Sequence, residues 1–520
     1  MKKNLRILGV LVLVVLFAVT AGGCGGKKEA SPGKVLQLTL DGPSTRQAEL
    51  QAVSLYLKQV GIDAQVRVWE KNALEAEVKN GSRQAYSMDW GSAIFDPFDL
   101  AVPKLKTKDR GNFSFYSNPK VDDLLMKGAS GATEEERRAA YMEAQKIIYQ
   151  DCPWIFGYSL DIVQGVASTV EGYKPFMDNR INLHDVYRKD GSDTLVVGLN
   201  IDHIITLDPA NYRDRETETV IRNIFDGLVT RTTDGKVAPE IAESWSNPQP
   251  NVYEFKIRKG IKFQNEDPLT PDDVVFTFER IMSPTGIGGK QSPRLGLLGP
   301  LDKVEKAGPD TVRFTMKQPS PQFLQLIVHT QIVPMNYVKK VGDATFAQKP
   351  VGAGPFKLVS AKMDSEVVLE RFDGYYGGSP DQPPVGPAKL KKVVFRMLPE
   401  PSTRVTALKA GEVQIIEDVP ADVSAELEKD ANTKLMKTDG TRAYMIELNN
   451  QQITDPRVRQ ALNYAVNWNE LLGSIYKDRA HRLATAFLPS GFGFNNDLKP
   501  YGYNPEKAKQ LLKEAGYKTP

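Results

Sequence analysis

The chain has 520 residues and a formal net charge of +3, from 67 basic and 64 acidic side chains. So balanced a charge argues against a nucleic-acid-binding protein, because such domains carry a clear excess of basic residues. The length exceeds what one hydrophobic core usually serves, so we expect at least two lobes. Two cysteines exclude a fold that is held together by a disulfide framework.

The first predicted element is a cleavable leader over residues 1–23. It begins with basic residues, continues with an apolar run over 7–19, and ends with small residues before Cys24. This pattern is typical of a lipoprotein signal peptide, whose cysteine receives the lipid after cleavage. The apolar run is short for a membrane span, although an uncleaved anchor helix is the alternative. Residues 24–33 then form a flexible tether, and we expect the mature protein on the outer face of a membrane.

Strands and helices alternate after the tether. Strand patterns occur at 34–40, 63–69 and 85–90, with apolar residues at helical spacing between them. A longer helix is predicted over 134–150, and Cys152 just beyond it is expected to fill a small buried space. Alternation of this kind predicts a parallel sheet covered by helices.

A second region begins after a polar stretch at 189–193 with a strand at 194–199. At the far end, Asn504 caps a helix that Gly516 ends, and no strand follows it. The strand at 34–40 lacks a preceding element, so the two pieces joined would form one helix–strand unit. We therefore expect a circularly permuted chain in which residue 520 lies close to residue 31.

Six segments after residue 193 stand out as motifs. In chain order they are "LVVGLN…LDPANY", "IFDGLVTRTTDGKVAPEIAESWS", "YEFKIRKGIKFQNEDPLTPDDVVFTFERI", "VGAGPFKL", "RVTALKAGEVQ" and "DPRVRQALNYAVN". They resemble the first two-thirds of family 5 extracellular solute-binding proteins, the peptide-, dipeptide- and nickel-type binding subunits of ABC importers. Residues 34–188 are similar to the final third of that family, placed in front rather than behind. The stretch 242–280 is the most specific part of the resemblance.

The resemblance implies an α/β fold, a two-lobed clamp like the type II periplasmic binding proteins, with an extra inserted subdomain and a circular permutation. By analogy, one lobe comprises 157–441 with the inserted subdomain at about 239–349, and the other comprises 34–156 and 442–520. The crossovers between the lobes, near Phe156 and Thr441, are expected to be hinges.

The resemblance also implies a ligand cleft between the lobes. In the peptide-binding members a motif W-x-x-D-x-x-D-P lines it, and the first aspartate pairs with the α-ammonium group of the peptide. Trp90, Asp96 and Pro97 match this motif, but Ala93 occupies the position of that aspartate. A buried ammonium without a carboxylate is costly, so free-amine peptides are expected to bind poorly. Asp89 is a candidate substitute, and core packing is the alternative for Trp90.

Further candidates for ligand contact come from both lobes. Exposed helix charges are the alternative interpretation of Arg215 and Glu218, and a tight turn is the alternative for the glycines before Phe356. Arginine suits bidentate contact with a ligand carboxylate. The full set of predicted ligand-binding residues is Trp90, Asp89, Phe95, Tyr212, Arg215, Glu218, Arg294, His329, Phe356, Arg442 and Tyr444.

We expect an extracytoplasmic solute-binding lipoprotein, a lipid-anchored monomer that captures a small peptide or peptide-like solute by lobe closure and delivers it to an ABC permease. No cofactor, metal or nucleic acid is expected. A nickel-chelate binder is the alternative within the family, since Trp90 and Arg294 fit it loosely, but the four histidines are scattered. A sensor or adhesin lipoprotein is a remoter alternative. An enzyme is not expected, because the common nucleophile, zinc-protease and phosphate-loop motifs are missing from the sequence.

Overall fold

The structure is a computed structural model that describes residues 33–377 and 386–520. The predicted leader, the lipid-attachment residue Cys24 and the tether up to residue 32 lie outside the described residues.

The secondary structure follows the predicted alternation. Up to residue 161 the elements are β1 Leu36–Pro43, α1 Gln47–Gln59, β2 Ile62–Trp69, α2 Lys71–Lys79, β3 Ala85–Gly91, α3 Pro97–Leu105, α4 Pro119–Ser130, α5 Glu134–Asp151 and β4 Trp154–Leu160. The next elements are β5 Ile162–Ala167, β6 Val170–Glu171, β7 Tyr187–Arg188, β8 Thr194–Leu199, α6 Arg215–Ile224, β9 Val229–Arg231, β10 Val237–Pro239, β11 Ala242–Gln249, β12 Val252–Ile257, α7 Pro271–Met282, β13 Leu301–Lys306, β14 Thr311–Met316, α8 Phe323–Ile327, α9 Met335–Val341, α10 Asp343–Phe346, β15 Phe356–Lys362 and β16 Glu366–Arg371. The last elements are β17 Lys392–Met397, α11 Pro401–Lys409, β18 Ile415–Ile416, α12 Ser424–Lys429, β19 Thr433–Thr438, β20 Arg442–Leu448, α13 Pro456–Ala465, α14 Trp468–Tyr476, β21 Ala480–Arg482 and α15 Pro505–Glu514.

Two large sheets define two lobes. The first lobe, residues 162–441, is built on a seven-stranded sheet of order β15-β16-β17-β8-β18-β5-β19. The second lobe, residues 33–161 and 442–520, is built on a six-stranded sheet of order β2-β1-β3-β20-β4-β21. The chain crosses between β4 and β5 at Asp161 and between β19 and β20 at 439–441. The first crossover, expected near Phe156, lies a few residues further along the chain, because Phe156 itself pairs with Met445 within the second-lobe sheet.

The second-lobe sheet is mixed, whereas the sequence predicted a parallel one. Strand β1 runs parallel to β2 and β3, as expected. Strand β20 is antiparallel to both β3 and β4. Parallel neighbours need a crossover connection, usually a helix, but β20 enters directly from the other lobe and therefore runs the opposite way.

A four-stranded antiparallel sheet, β11-β12-β14-β13, lies within the predicted inserted segment. It has its own aromatic core, in which Phe255, Phe314 and Phe278 are fully buried. Its separate core is consistent with a subdomain that is added to the first lobe.

The two ends of the described chain meet on the second lobe. Tyr517 forms a parallel bridge with Lys34, and the Lys518 amide donates to the Lys34 carbonyl at 3.1 Å. Helix α15 packs on α13 of the same lobe through Ala508, Leu511 and other apolar side chains. The α15 end and β1 are therefore neighbours, which is the arrangement that a helix–strand unit requires.

Cys152 ends helix α5 in the predicted structural role. It is fully buried and adopts a left-handed conformation with φ 47°. Burial raises the pKa of its thiol to about 12, so the thiolate is not formed at neutral pH.

Candidate functional site

The segment after β3 reaches across to the first lobe. The carbonyl of Ala93 accepts a hydrogen bond from Arg231 Nη1 at 2.9 Å and lies 3.0 Å from His329 Nε2. The Arg231 guanidinium also lies over the ring of Phe95, 4.3 Å from its centroid. At the second crossover, the Thr441 carbonyl accepts from the Ser92 amide at 2.7 Å. The two lobes therefore meet around Ala93, the position that is aspartate in the peptide-binding motif.

Asp99, in the first turn of α3, holds this segment from the second-lobe side. Its carboxylate accepts from the Ser92 hydroxyl and the Ala93 amide, both at 2.6 Å, and from the Ile94 amide at 3.2 Å. Its backbone carbonyl accepts from the Trp90 indole at 2.8 Å. Burial raises the pKa of Asp99 to about 6, although these hydrogen bonds oppose the shift. Asp99 thus fixes the backbone at Ala93 through its carboxylate and the orientation of Trp90 through its backbone carbonyl.

On the first lobe, Asp178 anchors two arginines. It lies 2.9 Å from Arg180 and 3.2 Å from Arg231, and all three side chains are buried. Burial alone would raise the pKa of Asp178, but the two guanidinium groups lower it well below its usual range. The carboxylate is therefore fully engaged, and Arg231 is held in place to bind the Ala93 carbonyl.

Glu218 is the second buried carboxylate of the first lobe. It lies 2.6 Å from His329 Nδ1 and 3.7 Å from Arg294. Burial opposes ionisation, but His329 and Arg294 outweigh it and lower the pKa of Glu218 to about 2. The other ring nitrogen of His329 faces the Ala93 carbonyl, so the histidine connects this carboxylate to the second lobe.

A small cavity of about 160 Å³ opens between these groups. Ala93 lines it from the second lobe, and the buried charged cluster lines it from the first. Arg213 and Arg215, at the start of α6, complete its wall. Arg215 Nη2 donates to the Thr441 hydroxyl at 3.1 Å, which places this guanidinium beside the crossover.

A larger cavity of about 570 Å³ lies in the second lobe, where β1, β2 and β3 end and β20 begins. Trp69, Trp90 and Phe113 form much of its apolar wall. Its polar edge includes Arg442, which forms an ion pair with Asp89. Such a combination of aromatic walls and few charged groups is typical of a small-molecule site.

Gly91 lies where the two cavities approach each other. A side chain at this position would lie 3.4 Å from Arg215 Nη2 and 3.6 Å from Arg442 Nη2. Guanidinium groups from both lobes therefore converge on the open face of Gly91.

A buried ion pair supports the aromatic wall from behind. Lys104 and Glu447 pair with each other, and both side chains are 0% exposed. Lys104 Nζ lies 5.2 Å from the ring centroid of Trp90 and 4.9 Å from that of Phe113. Burial raises the pKa of Glu447, and Lys104 offsets only part of that shift.

Most of the predicted site residues fall into two groups around these cavities. Asp89, Trp90, Arg442 and Tyr444 line the larger one, and Arg215, Glu218, Arg294 and His329 line the smaller one. Phe95 packs at the lobe contact against Arg231.

The predicted ligand contacts of Tyr212 and Phe356 are wrong. Both side chains are 0% exposed and leave no surface for a ligand. Tyr212 lies beneath the Arg294 guanidinium, 4.1 Å from ring centroid to Cζ. Phe356 belongs to the first-lobe core. The nearby Gly354 amide donates to the Ile224 carbonyl at 2.9 Å, so the close approach that its glycine permits is to helix α6. Asp89 pairs with Arg442 and does not occupy the place of the carboxylate missing at Ala93.

Several residues of the site escaped the sequence analysis. Arg213 is one residue from the candidate Tyr212 and lies in the same segment, so proximity was a usable signal. Arg231 and Asp178 meet only through tertiary packing, and no local pattern marks them. Trp69 ends a correctly predicted strand, but its neighbour in space, Trp90, is on a different strand.

Within residues 33–377 and 386–520, no group of three histidine, cysteine, aspartate or glutamate side chains is arranged to hold a metal ion. A helix with the length and apolar character needed to cross a bilayer is also missing from these ranges.

Two α/β lobes that meet over a polar and aromatic cleft define a clamp-like binding protein. The model of a family described as "Bacterial extracellular solute-binding proteins, family 5 Middle" matches residues 236–520, which is more than half of the chain. The chain therefore belongs to the family 5 bacterial extracellular solute-binding proteins.

Curated relatives match part of the chain. The glutathione-binding protein GsiB of Shigella boydii is 32% identical over 317 residues, which are 60% of this chain and 59% of that protein. A dipeptide-binding protein of Escherichia coli K12 is 31% identical over 304 residues, which are 54% of this chain and 55% of that protein. The chain thus spans less than two-thirds of the length of these relatives.

Two solved structures share the fold. The periplasmic binding protein DppA from Helicobacter pylori, in complex with the peptide STSA, is 29% identical with a TM-score of 0.51, over 62% of this chain and 66% of that one. HbpA2 from Haemophilus parasuis is 26% identical with a TM-score of 0.55, over 62% and 67%. These likenesses support the expected type II architecture.

Proposed function

We propose that this chain is the solute-binding lipoprotein of an ABC importer, and that it captures a small peptide or peptide-like solute between its lobes for delivery to a permease. The observation that carries the proposal is the lobe contact at Ala93, with a cavity on either side of it. Family membership supports the assignment as a solute-binding protein, and the matched relatives are named for glutathione and dipeptides.

Capture follows from contacts with both lobes. A solute that touches Trp90 and Arg442 on the second lobe and Arg215 on the first binds the closed form more tightly than the open form. That difference in affinity is what shifts the lobes toward closure. The crossovers at Asp161 and 439–441 are then the hinges.

The chemistry at Ala93 disfavours a free α-ammonium group. The methyl side chain offers no carboxylate, and the nearby carboxylates of Asp178 and Glu218 are already paired with Arg231 and Arg294. An ammonium desolvated here lacks a partner, so peptides with a blocked or absent amino group fit better.

A nickel chelate is the second candidate. Arginine side chains on both lobes near Gly91 are suited to gripping the carboxylates of a chelator. In this case the metal ion is part of the transported solute, and the chelator provides its ligands.

We further propose that the chain is circularly permuted and anchored by lipid at Cys24. The contact between Lys34 and Lys518 supports the first part, because it brings the end of the last helix to β1. A variant that joins residue 520 to residue 34 and opens the chain at 189–193 should bind solute with unchanged affinity. Failure of that variant to fold would count against the permutation.

The capture proposal is tested with the purified protein and an extract of small solutes. Native mass spectrometry identifies the retained compound, and small-angle scattering measures whether its addition shrinks the molecule. We expect one solute class to be retained and the radius of gyration to fall. Retention without compaction, or chemical turnover of the solute, would contradict capture by closure.

A further inference from the structure

The smaller cavity holds more positive than negative charge. Of its two carboxylates, Asp178 is shared between Arg180 and Arg231, and Glu218 contacts Arg294 and His329. Arg215 has the Thr441 hydroxyl as its hydrogen-bond acceptor. Among the described residues, neither Arg215 nor the exposed Arg213 has a carboxylate within ion-pair distance. Within the described ranges, these two guanidinium groups at the wall of the cavity are thus not neutralised by a direct ion pair.

A third guanidinium lies close by. Arg442, which is paired with Asp89, approaches the same open face of Gly91 as Arg215. Glu216 interacts with Arg215 at longer range, but burial raises its pKa and weakens its value as a counter-ion. Like charges that converge in a partly buried site favour an anion between them.

We propose that the captured solute is acidic, with a carboxylate or similar oxyanion that binds at Arg213 and Arg215 and an apolar or aromatic part in the larger cavity. This inference rests on the proposed function, because it names the class of solute for the same cleft. Arginine forks match oxyanions in bidentate geometry. The aromatic walls formed by Trp69 and Trp90 receive the apolar part.

Ala93 fits this chemistry. Ala93 lies in the wall of the same cavity and adds no negative charge to it. The alanine leaves both guanidinium groups available. An acid bound by the first lobe and an apolar group bound by the second also bridge the lobes, so the same solute drives closure.

The test uses four compounds of one side-chain sequence. They are alanyl-tryptophan and N-acetyl-alanyl-tryptophan, each as the free acid and as the carboxamide, and binding is measured by calorimetry at low and at physiological salt. We expect the N-acetylated acid to bind most tightly and both amides to bind about 10- to 100-fold more weakly than their acids, the range of a charged hydrogen bond. Affinity for the acids should fall as salt rises.

Two arginine variants test whether these side chains bind the carboxylate of the solute. Arg215→Gln and Arg213→Gln should weaken acid binding by about tenfold or more and leave amide binding unchanged. Arg213 is exposed, so its substitution spares the fold. The matched control is Arg313→Gln, which removes an arginine paired with Glu254 on the inserted sheet and should change neither affinity.

Every outcome decides the inference. Equal binding of acids and amides, or no binding of any acid, overturns the acidic class. Amides that bind as tightly as the acids and compact the protein would overturn this inference while the capture function stands. Failure of all four compounds and of the solute extract to bind would count against both.

Discussion

Removal of the buried lysine behind Trp90 should destabilise the second lobe strongly. Lys104 and Glu447 are 0% exposed, and within the described residues the Glu447 carboxylate has no other hydrogen-bond partner. Lys104→Met therefore leaves a carboxylate alone in an apolar core. Breaking a buried pair from one side costs about 3–5 kcal/mol, so we expect a loss of that size in the free energy of unfolding at pH 7.

The loss should depend on pH with a definite sign. Burial already raises the pKa of Glu447, and without Lys104 the pKa rises further. The folded state then keeps a proton that the unfolded state releases at the ordinary pKa of a glutamate. The deficit should be small below that ordinary value and should grow as pH rises through the folded-state pKa.

Urea unfolding followed by tryptophan fluorescence measures both effects, because Lys104 lies beside Trp90. The control is the double variant Lys104→Met with Glu447→Leu, which removes both charges and should come within about 1 kcal/mol of the parent or exceed it. A loss below about 1 kcal/mol for the single variant, or a loss independent of pH, would refute the reasoning.

Four further predictions concern the cleft. The fluorescence of Trp90 should titrate near pH 6 through Asp99, and Asp99→Asn should remove the transition; a transition that persists in the variant would contradict the assignment. Trp90→Ala should weaken solute binding by at least about tenfold, and unchanged affinity would remove this residue from the site. Ala93→Asp should improve the binding of free-amine dipeptides, whereas an unaltered preference would show that this position does not set it. Arg231→Met deletes the hydrogen bond to the Ala93 carbonyl, so scattering of the solute-free protein should show a larger radius of gyration; an identical curve would mean that this contact does not hold the lobes together.

The local pattern of the sequence was sufficient for most elements of the second lobe. The apolar spacing of Leu50, Val53 and Leu57 predicted the buried face of α1, and all three are 0% exposed. The predicted strand at 194–199 is β8. Periodicity reports which face of an element is buried, so it finds elements well. Periodicity does not report the direction of a strand within its sheet. The sequence therefore predicted a parallel sheet and did not predict the antiparallel strand β20.

The sequence likewise identified only some of the residues that line the cleft. Trp90, Arg215 and His329 were identified from a motif and a resemblance, and they do lie at the cleft. Tyr212 was proposed on the same basis, but the Arg294 side chain covers it. Proximity along the chain does not tell which of two neighbours faces the cavity and which supports it.

The sequence by itself determined the family, the two-lobed class and the absence of a carboxylate side chain at position 93, because each depends on residue identity or on local spacing. Only the tertiary structure decided which charges remain unmatched. Whether a guanidinium is available to a solute depends on whether a distant carboxylate already pairs with it. Asp178 pairs with Arg231 and Glu218 with Arg294 across long separations in the chain, while Arg213 and Arg215 have no such partner among the described residues. Charge balance in a cleft is a property of the packed lobes, and no local pattern contains it.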